Sequence, residues 1–131
     1  MLAQARHYQA SGADVIDVGC EPGDPWTGVA DCVKMLRDEG MRVSIDSLQP
    51  AEIGPAAEAG AELVLSVNAT NRDTAPDWGC EVVVVPDDFA TLGGLEQTVE
   101  QLALAGVPLR IDPVVEPIGF GVAESLARYQ E

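Results

Sequence analysis

Four short apolar runs in this chain each carry a group able to make two hydrogen bonds at or near their carboxyl end. They are Val15-Ile16-Asp17-Val18-Gly19, Val43-Ser44-Ile45-Asp46-Ser47, Leu63-Val64-Leu65-Ser66-Val67-Asn68 and Leu109-Arg110-Ile111-Asp112-Pro113. Each run reads as a buried strand, and α/β folds keep their binding groups at the carboxyl ends of such strands. Side chains alternate along a strand. Ser44 then shares a face with Asp46, Ser66 with Asn68, and Arg110 with Asp112, while Val43, Ile45, Leu65, Val67, Leu109 and Ile111 take the other face. The result is a cup that gathers Asp17, Asp46, Asn68 and Asp112 at one mouth. It suits a flat heterocycle with a guanidine-like edge, because a carboxylate accepts two parallel N–H bonds and an Asn both donates and accepts. The structural alternatives are a helix N-cap for Asp46 and a salt bridge to Arg42 for Asp17.

Other chemistries lack their parts. His7 is the only histidine and falls in the first helical stretch, so Ser47 has no histidine to activate it. No G-x-x-x-x-G-K-[ST] loop and no D-x-D-x-D-G metal loop occurs. Cys20 has no adjacent base and reads as a small buried residue. The three cysteines form no C-x-x-C pair, which fits a reducing cytoplasm and argues against a disulfide framework or zinc site. With 22 acids against 7 bases, the net charge of −15 repels phosphate backbones, so nucleic acid is not an expected partner. No apolar run approaches the roughly 18 residues that span a bilayer, and the start lacks a signal-peptide apolar segment.

The elements that must position the four groups follow from periodicity and punctuation. Helices are expected at 2–11, 28–39, 50–59 and 93–105, with a further helical tail at 122–131. Thr27 is the expected cap of the second helix; Gly12, Gly40 and Gly106 are expected stops. Pro50 suits a first turn, whereas Pro55 should kink or shorten its helix. Strands are expected at 14–19, 42–46, 62–68, 81–86 and 108–112, with a polar loop from Ala69 to Trp78. Gly-Ala-Asp at 12–14 and Gly-Ala-Glu at 60–62 open two strands with nearly the same words, a mark of repeated βα units. Length predicts a single domain over 1–131, and alternating βα units predict a parallel sheet with right-handed crossovers. Two architectures fit: an open doubly wound sheet, or five units of a (β/α)8 TIM barrel, which when complete needs about 250 residues.

At these residues the chain resembles the dihydropteroate synthase-like pterin-binding family. The matching words are Gly12-Ala13-Asp14-Val15-Ile16-Asp17-Val18-Gly19, Ser44-Ile45-Asp46-Ser47, Asn68 after an apolar strand, and Asp112-Pro113 with Ile118-Gly119-Phe120-Gly121. Their order and spacing agree over about residues 5 to 128. The resemblance implies a partial (β/α)8 barrel containing the family's second to sixth strands. It implies that Asp46, Asn68 and Asp112 hold a pterin ring, and that Asp17 and Asp46 act on charge developing there. The family's N-V-T-P-D-S-F strand is absent, as are the strands carrying its pocket Lys and Arg. Its G-E-S-T-R-P-G word is replaced here by Cys20-Glu21-Pro22-Gly23-Asp24-Pro25. The D-P-G-x-G-F-G-K word is stretched and lacks its Lys, and Val85-Pro86-Asp87 stands where the family has an M-H-M-type end.

The implied activity is condensation of a pterin methyl diphosphate with an arylamine, as in folate or tetrahydromethanopterin-type cofactor biosynthesis. The resemblance also admits a pterin-dependent methyltransferase domain serving a corrinoid, or a non-catalytic pterin-binding module. No tightly bound cofactor is expected, beyond Mg²⁺ arriving with a diphosphate. The expected partners are the small-molecule pterin and either a second copy or the missing part of the barrel. Of the seven bases, only Arg72 is expected at the mouth.

Overall fold

A computed structural model of the chain describes residues 1–88, 91–113 and the separate positions 123, 126 and 127. Apart from those three positions, which are helical, the expected 122–131 helix lies outside the described residues, as does the 114–121 segment. Within them, α1 (Leu2–Ala10) leads into β1 (Ile16–Gly19), α2 (Val29–Asp38), β2 (Val43–Asp46), α3 (Pro50–Glu58) and β3 (Leu63–Val67). A 3-10 helix at Arg72–Asp77 then precedes β4 (Glu81–Val84), α4 (Leu95–Leu104) and β5 (Leu109–Ile111). The strands are all parallel, in the order β1-β2-β3-β4-β5. There is no reversal of strand order, so the doubly wound alternative is excluded. The sheet is five consecutive units of a barrel, with every strand's carboxyl end on one rim.

The core lies on the helix-covered side of the sheet. Val43, Ile45, Val64, Val67, Val82 and Val84 pack there with Val33 and Leu36 of α2, Ile53 and Ala56 of α3, and Leu102 of α4. These side chains are short and mostly branched, the kind that packs a pleated surface closely.

Several local expectations are corrected. Gly28, not Thr27, caps α2, and no side chain bonds that cap. α3 runs on through Pro55 to Glu58. A 3-10 helix occupies much of the expected 69–78 loop.

The main correction concerns the face of β3. Val64 pairs with Val82 and Val67 with Val84, so three steps on β3 match two on β4. This is a β-bulge at Leu65 and Ser66, which adds a residue to one strand and breaks its alternation. Val64 and Val67 both enter the core, and Leu65, expected beside Val67, does not. Alternation resumes after Val67 and returns Asn68 to the open face. Burying the Val side chains removes about 0.8 kcal/mol of exposure cost per CH₂, before any cavity term. We therefore expect Val64→Ala and Val67→Ala each to cost about 2 kcal/mol in urea denaturation. Leu65→Ala should cost under about 1 kcal/mol despite removing more carbon. A costly Leu65→Ala beside a cheap Val64→Ala would mean that β3 alternates regularly.

Candidate functional site at the strand rim

Register places the open-face side chains in rows. Asp17 stands beside Ser44, which stands beside Leu63, itself beside Glu81. Gly19 and Asp46 occupy the row above, level with the bulge. Asp17 therefore lies one row deeper than Asp46, not at the rim itself. Each carboxylate is held by a serine of the next strand. Ser44 Oγ donates to Asp17 Oδ1 at 2.7 Å, and Ser66 Oγ donates to Asp46 Oδ1 at 2.6 Å. Neither structural alternative holds: Gln49 caps α3, and Arg42 pairs with Glu62 at 2.8 Å. Burial raises the Asp17 carboxyl above its ordinary value, the bond from Ser44 opposes that, and the Asp46 charge adds to it. Asp46 is exposed and lines a cleft of about 390 Å³ with Cys20, Glu21, Leu48, Gln49 and Ser66. Its Oδ2 has no hydrogen bond within the described residues and faces an open mouth as an acceptor.

Asn68 is 4% exposed. Its Oδ1 accepts from Thr70 N at 2.9 Å and from Thr70 Oγ1 at 2.7 Å, which uses both lone pairs. A backbone N–H can only donate, so the amide orientation is fixed. Nδ2 is left without a partner among the described residues. Asn68 thus presents a donor only, where a donor-and-acceptor pair was expected. Asp46 contacts Ser66, not Asn68. Asp112 closes the rim at β5, where its N–H donates to Val84 O at 2.9 Å.

Five of the described bases have side-chain partners of their own. Arg72 Nη1 donates to Thr98 Oγ1 of α4 at 2.9 Å, so it is anchored to α4. Arg6 pairs with Glu39, Arg37 and Arg42 with Glu62, and Arg110 with Glu81. Among the described residues, no group of three or more His, Cys, Asp or Glu is arranged to hold a metal ion.

Sequence reasoning missed two residues that build this mouth. Glu52 is a fully buried carboxylate. Oε1 accepts from Trp26 N at 2.7 Å, and Oε2 accepts from Ser47 Oγ. Glu52 thereby ties the 20–28 loop to the turn that follows Asp46. Asn71 does the corresponding work for β3. Its position in a helix-like or loop stretch gave neither residue away. The only sequence signal was an acid on the apolar stripe of α3, beside Ile53 and Ala56.

Burial alone would push the Glu52 carboxyl up, but the bonds from Ser47 and the Trp26 amide, with the nearby Cys20 thiol, outweigh it and hold the group below the usual carboxylate range. Burial and the neighbouring Glu52 push the Cys20 thiol up to about 12, so it is no nucleophile at neutral pH. A depressed carboxyl contributes stability above its unfolded value, and that contribution fades as pH falls through the folded value. We expect Glu52→Gln to cost about 2 kcal/mol at pH 7, from weakened charge-assisted bonds. The wild type should approach the variant in stability below about pH 4.5, the ordinary glutamate range. Thermal melts of both proteins from pH 7 to pH 3 check this, and parallel curves would count against an ionised Glu52.

Comparison with known proteins bears on the family and the fold. Residues 1–85 match a family model described as "Pterin binding enzyme". An uncharacterized protein of Methanocaldococcus jannaschii is 32% identical, over 95% of this chain and 28% of its own length. Dihydropteroate synthase from Thermus thermophilus, solved in complex with 6HMPPP, superposes with a TM-score of 0.74 at 26% identity. The Yersinia pestis synthase with a pterine-sulfa conjugate gives 0.73 at 24% identity, a likeness of fold. Each covers 96% of this chain, and the chain covers 57% of each. The chain thus spans under two thirds of these relatives.

Proposed function

The chain belongs to the family of pterin-binding enzymes, and from that premise we propose that it holds a pterin ring at the Asp46 rim for condensation with an arylamine. The observation that carries this reading is the rim polarity. Asp46 Oδ2 stands open as an acceptor, oriented by Ser66 through Oδ1, and Asn68 Nδ2 is a buried donor without a partner among the described residues. A pterin offers amino and ring N–H donors on one edge and oxygen and nitrogen acceptors elsewhere. Asp46 and Asp112 would take the donors and Asn68 an acceptor. Asp17, one row deeper, would join Asp46 in countering positive charge on the ring.

In that reaction the arylamine nitrogen attacks the pterin methyl carbon as the carbon–oxygen bond to diphosphate breaks. Diphosphate leaves with the bonding pair, and the arylamine gives up a proton to solvent. The chain's own residues bind and orient the ring. We assign Mg²⁺ to the diphosphate substrate, since the described carboxylates form no resident metal set. The free edges of β1 and β5 would pair with the remaining strands of the barrel; a homodimer is the alternative occupant.

Two observations favour a second reading, a domain that passes a pterin's methyl group to a corrinoid. Arg72, the base expected at the mouth for a diphosphate, donates to Thr98 of α4 instead, and a lone amide donor suits hydrogen bonding to a pterin nitrogen. A non-catalytic pterin-binding module is the third reading.

Calorimetric titration of the purified protein with 6-hydroxymethylpterin and with its diphosphate tests the site. The alcohol should bind, and the diphosphate should bind no more tightly in the absence of Mg²⁺. Asp46→Asn should weaken the alcohol by roughly ten- to a hundredfold, the loss of a charge-assisted contact of about 1.5–3 kcal/mol. Unchanged affinity in Asp46→Asn would remove Asp46 from the site. Diphosphate release with 4-aminobenzoate, against methyl transfer to a corrinoid, separates the first two readings.

A further inference from the structure

The bulge in β3 and the turn after β2 meet at one buried side chain. Asn71 is 2% exposed. Its Oδ1 accepts from Asn68 N at 3.1 Å. Its Nδ2 donates to Ser66 O at 2.9 Å and to Leu48 O at 3.3 Å. A backbone N–H on one side and two carbonyls on the other fix the amide's orientation, and every strong hydrogen-bonding capacity it turns inward is met. Its three partners are backbone groups next to, or belonging to, residues that shape the candidate site. Ser66 orients Asp46. Leu48 lines the same cleft, two residues beyond Asp46, with 41% of its surface exposed. Asn68 carries the open donor.

The surrounding turn leaves little slack. Ala69 N donates to Asp87 Oδ1 at 2.8 Å, and Asn71 N and Arg72 N donate to Asn68 O at 3.3 and 3.0 Å. The pairing of β3 with β4 skips Leu65 and Ser66, so the Ser66 carbonyl depends on a side chain for its bond. Asn71 supplies it, and with the same nitrogen reaches across to β2.

We propose that Asn71 is the positioning residue of this site. It sets the distance and orientation between the acceptor on β2, Asp46, and the donor on β3, Asn68, and so determines which heterocycle edge fits. The inference rests on the pterin reading above. Asn71 itself touches no ligand; it acts through the backbone of Leu48, Ser66 and Asn68.

Asn71→Asp separates this role from mere stability. The substitution keeps shape and the acceptor for Asn68 N, but turns a carboxylate oxygen toward two carbonyl oxygens. That repulsion favours the protonated acid, which can again donate to one carbonyl. The ionisable groups on the elements meeting here are Asp46 on β2, Asp87 after β4, and the neighbours Arg72 and Asp73. Arg72 is held by Thr98, and Asp73 accepts from Gln101 at 2.7 Å. These are common to both proteins, so the ratio of wild-type to variant affinity isolates position 71.

Titration with 6-hydroxymethylpterin should show the variant about tenfold weaker at pH 7.5, narrowing to about threefold or less at pH 5, with near-ultraviolet dichroism reporting a folded protein throughout. Hydrogen exchange gives a second readout that needs no ligand. Amides in 47–50 and 66–70 should exchange faster in the variant at pH 7.5, and the excess should fall at pH 5 after correction for intrinsic rates. Asn71→Ser, which cannot reach both carbonyls, should weaken binding without the acid recovery and serves if the Asp variant does not fold. A folded Asn71→Asp or Asn71→Ser that binds like the wild type at pH 7.5 overturns the proposal. So does a variant that only melts earlier with unchanged affinity. Absence of pterin binding in the wild type overturns the pterin reading instead; faster, acid-reversible exchange would then still assign Asn71 the bracing of this rim.

Discussion

Helices cover only one face of this parallel sheet, and the rest of the structure answers to that constraint. A strand buried on one side sends alternate residues to the other. The core therefore takes Val43, Ile45, Val64, Val67, Val82 and Val84, and the uncovered face carries Asp17, Ser44, Asp46, Ser66, Glu81 and Arg110 among apolar neighbours such as Leu63 and Val83. A lone carboxylate on a half-covered sheet would lack a partner. Here a serine on the neighbouring strand meets each of the two acids, Ser44 for Asp17 and Ser66 for Asp46. The polar face is thus organised as cross-strand pairs, the same unit that stabilises sheets generally.

Binding capacity and bracing are divided between different residue sets. Asp46 and Asn68 keep one atom each turned outward. Glu52 and Asn71 are buried and turn their bonding capacity to loops and turns. Both braces use side-chain atoms to satisfy backbone groups, which a rim of parallel strands cannot satisfy through its own ladder. A buried ionised carboxylate is costly unless donors meet it, and Glu52 has one on each oxygen, the Trp26 amide and the Ser47 hydroxyl. That accounts for its depressed pKa despite full burial.

Most of the fold could be read from the sequence because its signals are local. Periodicity located all five strands and four helices, and Gly40 and Gly106 do end their helices with positive φ. The strand-end rule located Asp17, Asp46, Asn68 and Asp112. It misjudged their heights, because row position depends on register between strands. Leu65 was assigned to the core face because a bulge leaves no mark in an apolar run. The bond from Arg72 to Thr98 of α4 was not legible, because loop position says nothing about which neighbour a long side chain reaches. Asn68 looked bifunctional because Thr70, two residues on, gave no sign that it would take both lone pairs. The other misses concern contacts between elements, and one sequence read alone carries no such pairing information.

The bulge in β3 also bears on how such rims diversify. Its extra residue lies between two core valines, so insertion or deletion there shifts which side chain meets Asp46 and leaves Val64 and Val67 free to hold the core. A lineage could exchange Ser66 for a different rim group by a one-codon length change, with the buried layer untouched. Point substitution would have to alter chemistry at a fixed place; a length change moves the place itself.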